Sequence, residues 1–419
     1  MKKRLLRAGL IAAVLALLAG LLAACGSDDS KDSKLDVESG GLTGDPIRIG
    51  TLCSCTGPLA ASLGQSLDVL KAWASTTNEA GGINGHPVEV IAYDDGQNPA
   101  TGLAKAKQLV EKDKVMAIVG TMSLVSDQWA SYVSEKGIPV VGGQPVDTSF
   151  FTDPNFYASG STLPLLLLGE VTVAAKSGAK ELGLMYCSET PVCAQLPAIV
   201  KPLAAQAGMT VVEAKVSQSA PKYLAECQSF KDKGVDAMFN AVNSDVVPRI
   251  AESCEQAGFK PIQIASSATT QKSWTTDENL DGSLIVATNA VYTDETVPGV
   301  KGFLDGLEKH APKVLESPQF SFPLIYPWAG GELFKAAAEA GGISPTSTGA
   351  DVVKGLRLLE DETLDGIAPP LNFPEGQPSF PLCYFTAKLT EGEFRSDAEP
   401  TTCIDQATAT AMLTALQQG

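Results

Sequence analysis

Short apolar segments alternate with longer amphipathic ones from about residue 46 onward. The short segments have the length and apolar content of buried strands, and the longer ones repeat apolar residues at helical spacing. In the first half the predicted strands are 47–52, 88–93, 115–119 and 138–141, and the predicted helices are 60–80, 100–112 and 124–136. Repetition of this kind predicts a parallel sheet with helices on both faces.

The same alternation restarts after Gly160. Here the predicted strands are 182–186, 210–214, 236–240 and 261–265, and the predicted helices are 163–176, 194–206, 223–233 and 245–256. In the last third we predict strands at 284–289 and 380–389 and helices at 300–309, 328–340, 350–359 and 406–416. Two such runs predict an α/β fold with two doubly wound parallel-sheet lobes.

The N-terminus has the features of an export signal. Residues 1–7 carry four cations, and an uncharged Leu/Ala-rich run of 17 residues follows from 8 to 24. This run is marginal for a membrane span, which needs roughly 20 residues. Leu22-Ala23-Ala24-Cys25 resembles the lipobox of bacterial lipoproteins. The resemblance implies that residues 1–24 are removed and that Cys25 carries a lipid on the outer face of the membrane; an ordinary secretory signal and a transmembrane anchor are the alternatives.

Composition adds limits on the mature protein. Residues 25–44 are polar and charged, so we expect an unstructured tether. The remaining chain exceeds what one hydrophobic core usually supports, which again predicts two lobes. Loss of the four N-terminal cations takes the net charge from −17 to −21, which argues against nucleic acid as a partner.

Nine cysteines, less Cys25, leave eight, which suggests up to four disulfides in an oxidising compartment. We pair Cys187 with Cys193, Cys227 with Cys254, Cys383 with Cys403, and Cys53 with Cys55, although eight cysteines allow 105 connectivities. The Cys227–Cys254 pair is argued best, because its two predicted helices flank one strand. For Cys53-Ser54-Cys55 a redox pair is the alternative to a structural constraint. His86 and His310 have no metal-ligand spacing, and nothing indicates a cofactor.

Several motifs together carry a family resemblance. They are Ile47-Arg48-Ile49-Gly50, Thr56-Gly57-Pro58-Leu59-Ala60, Asn78-Glu79-Ala80-Gly81-Gly82-Ile83-Asn84-Gly85, Tyr93-Asp94-Asp95, Ile118-Val119-Gly120 and Gly137-Ile138-Pro139-Val140-Val141. At this spacing the chain resembles the type I periplasmic-binding-protein superfamily, in the branch of branched-chain amino-acid binding proteins of ABC importers. The resemblance implies a monomer that captures a small molecule between two lobes, closes about a hinge and delivers the solute to permease subunits.

The same resemblance implies three hinge strands between the lobes. Lobe one would hold 45–160 and 290–365, and lobe two 161–289 and 366–419. Open α/β sheets bind ligands beyond the carboxyl ends of their strands. The candidate ligand contacts at those ends are Ser54, Cys55, Thr56, Thr121, Met122, Ser123 and Gln144 in lobe one, and Glu189, Asn243, Asp245 and Ser267 in lobe two, with Tyr326 near the hinge. Hydroxyls at helix N-termini suit a carboxylate, although they also serve simply as helix caps.

Two turns depart from the amino-acid binders of the family: the lobe-one turn 141–145 lacks their hydroxyl-rich stretch, and a lobe-two turn lacks an acid. Those proteins commonly place a lobe-two carboxylate against the ligand ammonium, and the matching turn here, 265–268, contains no acid. A buried ammonium needs a negative partner. Either Glu189 or Asp245 substitutes, or the solute is a small carboxylate, an amide or another polar metabolite.

Two other functions are considered. The same cleft could report its occupancy to a membrane receptor, and the sequence does not separate a sensor from a transport protein. The chain has no nucleophile elbow, no phosphate-binding glycine loop and no metal-ligand motif, which argues against an enzyme.

Overall fold

Two β-sheets organise the part of the chain that the computed structural model describes, namely residues 33–57, 63–189 and 191–409. Sheet one contains β1 (Ile47–Cys53), β2 (Val88–Asp94), β3 (Ile118–Thr121), β4 (Val140–Gly143) and β5 (Phe156–Tyr157). Its order is β2-β1-β3-β4-β5, and every neighbouring pair is parallel. This is a doubly wound order, with a switch point beside β1 where the flanking helices change face.

Sheet two repeats the order and extends it. It contains β6 (Glu181–Cys187), β7 (Thr210–Val216), β8 (Ala237–Ala241), β9 (Ile262–Ser266), β10 (Leu284–Ala287), β11 (Cys383–Thr390) and β12 (Glu393–Cys403). The strands β7-β6-β8-β9-β10 are parallel, whereas β10-β11-β12 are antiparallel. The predicted doubly wound parallel sheet is therefore extended at this edge by two antiparallel strands. The polar, largely exposed sequence of β12 gave no apolar pattern from which to predict a strand.

The helices cover both faces of the sheets. They are α1 (Ser66–Glu79), α2 (Pro99–Lys107), α3 (Ala130–Glu135), α4 (Ser149–Thr152), α5 (Leu163–Lys176), α6 (Pro191–Gln206), α7 (Leu224–Asp232), α8 (Val247–Gln256), α9 (Pro298–His310), α10 (Pro312–Glu316), α11 (Ile325–Gly341) and α12 (Gly349–Leu356). Most predicted helices occur with shifted ends. The predicted helix 124–136 is interrupted, because a short 3₁₀ turn precedes α3. Most of the predicted helix 406–416 lies outside the described residues.

Each sheet buries apolar side chains on both faces. In sheet one, Ile49 and Val90 pack in the cluster that includes α1 and α11, whereas Leu52 and Ile118 pack in a second cluster with α2 and α3. This explains the continuous apolar runs in the sequence, since strands buried on both faces do not alternate with polar residues.

The chain passes between the two sheets three times. The first passage follows β5, the second follows β10, and the third precedes β11. We refer to sheet one with α1–α4 and α9–α12 as lobe one, and to sheet two with α5–α8 as lobe two. The ring of Phe373 packs edge-on against Tyr157 of β5, and Glu362 pairs with Leu371. The third passage therefore lies after residue 373, later than the predicted boundary at 366.

Residues 33–38 pair with the edge of sheet one. The Leu35 amide donates to the Val90 carbonyl at 3.0 Å, and the Ala92 amide donates to the Ser33 carbonyl at 2.7 Å. The prediction of an unstructured tether is therefore wrong for this segment. Its two apolar residues, Leu35 and Val37, pack against the core, but they stand in a run of polar residues that by composition predicted no structure. The segment also covers the exposed edge of β2, which would otherwise present unpaired backbone groups.

The segment ends beside a small charged cluster. The ring nitrogens of His310 lie 3.7 Å from Glu38 and 3.3 Å from Glu79, and Glu79 also pairs with Lys309. Nothing in the sequence indicated that Glu38, Glu79 and His310 lie close together. The neighbouring ammonium already neutralises Glu79, so we describe the group as an ion-pair cluster that joins the segment to α1 and α9.

All four predicted disulfides are present. They are Cys53–Cys55, Cys187–Cys193, Cys227–Cys254 and Cys383–Cys403. Among the described residues no helix combines the length and apolar character that a membrane crossing requires. The predicted signal segment and Cys25 lie outside the described residues.

Candidate functional site

A cavity of about 670 Å³ lies between the lobes, at the carboxyl ends of the strands in both sheets. Lobe one contributes the segments after β2, β3 and β4, including Gln97, Leu124 and Gln144. Lobe two contributes the segments after β6, β7, β8 and β9, together with one side of α5. The position agrees with the expectation that open α/β sheets bind ligands at this edge. Its volume suits a small organic molecule.

The cavity wall is largely apolar. Its apolar members include Leu63, Leu124, Val146, Leu163, Leu166, Leu167, Leu196, Phe239, Val242 and Pro323. Its charged members are Glu170 and Glu189, and no Lys, Arg or His is found among the described residues of the wall. A bound solute is therefore surrounded by hydrocarbon, by two acids and by neutral side chains such as Asn243 and Ser266, which can donate or accept hydrogen bonds.

Three of the predicted contacts line this cavity, namely Gln144, Glu189 and Asn243. Ser266 lines it in place of Ser267. The hydroxyl of Ser267 instead lies 3.0 Å from that of Tyr326, which is buried between the lobes. These residues lie behind the cavity wall, at the junction of α11 with sheet two.

The lobe-one hydroxyl groups that were predicted to contact ligand donate hydrogen bonds to other protein groups instead. Ser54 donates to Asp95 at 2.7 Å, Ser123 donates to Asp95 at 2.6 Å, and Thr121 donates to the Leu52 carbonyl at 2.8 Å. All three hydroxyl residues are buried and none lines the cavity. Burial raises the pKa of Asp95, although the hydrogen bonds from Ser123 and Ser54 oppose that shift. Through these hydrogen bonds Asp95 holds the turns after β1 and β3 together.

The remaining lobe-one candidates also lie outside the wall. Cys55 is disulfide-bonded to Cys53, and Met122 is buried in a bridge with Cys53. Thr56 is exposed, and its carbonyl accepts from the Gln97 side chain at 3.1 Å. The disulfide and this bond shape the first turn at the cavity mouth.

The two acids predicted as ammonium partners differ in position. Asp245 is exposed, lies outside the wall and pairs with Arg249 at 3.6 Å. Glu189 is at the rim, where it accepts from Ser217 at 2.9 Å and from the Gln218 amide at 2.8 Å. Partial desolvation raises the pKa of Glu189, but these hydrogen bonds outweigh it and the net pKa is lowered. Its carboxylate is thus ionised and already satisfied by protein donors.

Glu170 on α5 is the acid that the sequence reasoning missed. The residue belongs to the cavity wall and is 2% exposed, and both of its carboxylate oxygens are buried without a hydrogen-bond partner among the described residues. Burial raises the pKa of Glu170 well above its usual range. The available signal was a single acid within the otherwise apolar run Leu163-Pro164-Leu165-Leu166-Leu167-Leu168-Gly169-Glu170-Val171.

A sequence model of the periplasmic binding protein family matches residues 46–392. The chain belongs to this family. Periplasmic binding proteins of this type are extracytoplasmic solute-binding proteins, so the predictions of the superfamily, of two α/β lobes and of a binding protein rather than an enzyme are confirmed.

Relatives of this periplasmic binding protein include amino-acid-type members. The chain is 24% identical over 341 residues to Leu/Ile/Val-binding protein homolog 8 of Brucella abortus, covering 76% of this chain and 83% of the relative. It superimposes on the leucine binding protein of Thermotoga maritima with a TM-score of 0.67 and 17% identity, covering 84% of this chain and 98% of the other. It also superimposes on a solute binding protein of an R. palustris ABC transporter, whose structure is in complex with benzoate. The TM-score is 0.69 at 14% identity, covering 86% of this chain and 98% of the other.

Proposed function

We propose that this chain is the solute-binding lipoprotein of an ABC importer, held on the outer face of the membrane by a lipid on Cys25. The observation that carries the binding role is the cavity itself, whose walls come from both lobes at the carboxyl ends of their strands. A ligand there contacts both lobes, so its binding free energy favours the closed arrangement. The closed form is what a permease then distinguishes from the empty protein.

The wall supports a solute with a substantial apolar part. Leu166 and Leu167 of α5 and Phe239 of β8 present hydrocarbon from lobe two, and Leu124 and Val146 do so from lobe one. Burial of apolar surface contributes roughly 25 cal/mol per Å². The related proteins are named for leucine-type and benzoate ligands, which are also small molecules with an apolar body.

A thermal-shift screen of residues 33–419 against amino acids, amines, alcohols, amides and small carboxylates tests the binding role. A solute present at a thousand times its Kd adds roughly 4 kcal/mol to the free energy of unfolding. The variant Ala241→Trp places an indole in the cavity wall, whereas Ala398→Trp does so on exposed β12. We expect Ala241→Trp to lose the shift and Ala398→Trp to keep it. Absence of any shift in the wild type contradicts the binding role.

The anchoring and delivery steps need cellular tests. Cys25→Ser is expected to move the chain from the membrane fraction to the soluble fraction, and unchanged fractionation contradicts lipidation. Deletion of the protein is expected to abolish uptake of the solute identified in the screen. Normal uptake accompanied by a lost transcriptional or chemotactic response favours the sensor alternative.

A further inference from the structure

The position of Glu170 in the cavity wall is unusual for an acid. It follows Leu163, Leu166 and Leu167 on the same wall of the cavity, and its carboxylate oxygens are buried without a partner among the described residues. Burying a carboxyl without compensating hydrogen bonds costs free energy in either protonation state, and far more when it is ionised. A residue with this cost and no structural partner is a candidate for a contact that only a ligand completes.

The other groups around the cavity define what that ligand must offer. The side-chain oxygen of Gln144, in lobe one, is also buried and without a partner. The charged groups of the described wall are Glu170 and Glu189, and the latter is held by protein donors. Residues 58–62 and 190, which lie outside the described part, carry no charged side chain in the sequence. Among the described residues the wall therefore offers two acids and several neutral amide and hydroxyl side chains, such as Asn243 and Ser266, but no basic group.

An anionic solute fits such a wall poorly. A carboxylate in this cavity would face Glu170 and Glu189 without an Arg, Lys or His to neutralise it among the described wall residues. The hydroxyls of Ser54, Thr121 and Ser123, which the sequence suggested for a carboxylate, are already donated to Asp95 and the Leu52 carbonyl. An ammonium is different, because it supplies three donors and the opposite charge.

We propose that the solute is an organic monocation, with one ammonium group that binds Glu170 and an apolar body that fills the leucine-lined part of the cavity. This inference rests on the proposed binding function and names the class of solute. The ammonium neutralises the carboxylate and satisfies its oxygens, while the body displaces water from Leu163, Leu166 and Phe239.

The test compares probes that share a body and differ in the head group. Calorimetric titrations at pH 7.5 use hexylamine, hexanol and hexanoate, and a second series uses phenethylamine, 2-phenylethanol and 3-phenylpropanoate. We expect the amine of at least one series to bind about tenfold or more tightly than its alcohol and its carboxylate, which corresponds to about 1.4 kcal/mol. Glu170→Gln should abolish this preference, since it keeps the side-chain shape and removes the charge. Asp245→Asn is the matched control, because Asp245 is exposed and outside the wall.

A second readout depends on the carboxyl itself. Because burial raises the pKa of Glu170 and a bound ammonium would lower it again, ammonium binding should release protons, measured as a dependence of the binding heat on buffer ionisation enthalpy. Glu189, the other carboxyl of the wall, is already ionised and contributes none. Glu170→Gln should bind without proton release. If that variant does not fold, as checked by circular dichroism, Glu170→Leu replaces it in both measurements.

The outcomes separate the two proposals. Tighter binding of the alcohols or carboxylates than of the amines overturns the inference and leaves the binding function intact. Amine preference that survives in the Glu170 variant also overturns the inference. If no solute of the screen or of either series binds the wild type, both the inference and the binding function fail.

Discussion

The hydroxyl oxygens of Ser267 and Tyr326 lie 3.0 Å apart, and this contact joins the two lobes. Ser267 follows β9 in sheet two, whereas Tyr326 belongs to α11, which packs on β3 and β4 of sheet one. The Ser267 hydroxyl also accepts from the Thr288 amide at 3.3 Å, next to the second passage between the lobes. These hydrogen bonds therefore connect the residues behind the cavity wall to the second passage between the lobes, which is part of the hinge.

Tyr326→Phe should lower the free energy of unfolding by about 1 kcal/mol, because it removes one buried hydrogen bond. It should also weaken solute binding, since the closed arrangement loses a contact between the lobes. Tyr384→Phe is the control: its hydroxyl bonds to Thr172 and Thr402, all within lobe two. Urea unfolding and titration with a solute from the screen check both effects. Equal loss of affinity in the two variants would refute the coupling.

Gly142→Ala should be severely destabilising. Gly142 has a φ of +65°, and a Cβ there would lie 2.1 Å from the Cα of Gly330 in α11. Overpacking against backbone and the left-handed conformation together should cost about 3 kcal/mol or more.

Gly137→Ala provides a matched control for that substitution. Gly137 has a φ of +67°, but nothing lies within 4 Å of its Cβ position. It should cost only the conformational penalty of roughly 1–2 kcal/mol. Urea denaturation of both variants isolates the contact between β4 and α11. A similar loss in the two proteins would show that this contact is not tight.

Asp147 should make the protein less stable as the pH rises to neutrality. Burial raises the pKa of Asp147 to about 7, although hydrogen bonds from Ser126 and the Ser149 amide oppose the shift. Because the folded pKa lies above the unfolded value near 3.9, the folded state holds a proton that the unfolded state has lost. This contribution is fully present below pH 4 and is lost as the pH rises through about 7.

Asp147→Asn should therefore stabilise the protein more at pH 8 than at pH 4, by roughly 1–3 kcal/mol after allowance for the partial exposure of the side chain. Asparagine keeps an acceptor for Ser149 and a partner for Ser126. Chemical denaturation at the two pH values measures the difference, and an unchanged pH dependence in Asp147→Asn counts against the assignment.

The disulfides should differ in their effect on stability. Cys227 and Cys254 are 27 residues apart, so their bond restricts the unfolded chain by roughly 3–4 kcal/mol in the loop-entropy account. Cys53 and Cys55 are 2 residues apart and restrict it far less. We expect the Cys227→Ser/Cys254→Ser double variant to lose much more stability in urea than the Cys53→Ser/Cys55→Ser variant. The reverse order would contradict this account.

The sequence predicted the parts of the fold that apolar patterning determines. Buried strands such as β1 and β6 are short segments rich in apolar residues, and their positions were predicted within one or two residues. β12 was missed because its side chains are mostly polar and exposed, and residues 33–38 were missed because Leu35 and Val37 are the only apolar residues in a short polar run.

The site was predicted less well than the fold. The turns were located correctly, but a sequence does not tell whether a hydroxyl such as Ser123 points to a solute or to a buried acid such as Asp95. Glu170 was missed because α5 is apolar on nearly all sides, so its periodicity does not reveal which face meets the cavity. The direction of the Ser123 hydroxyl and the face of α5 that meets the cavity are both determined by contacts between segments far apart in the sequence.

A crystal structure of residues 33–419 with a solute from the screen tests the central claim most directly. The account predicts one solute molecule in the cavity between the lobes, in contact with Gln144 from lobe one and Leu166 from lobe two. A solute bound elsewhere on the protein, with this cavity occupied only by water, would contradict it.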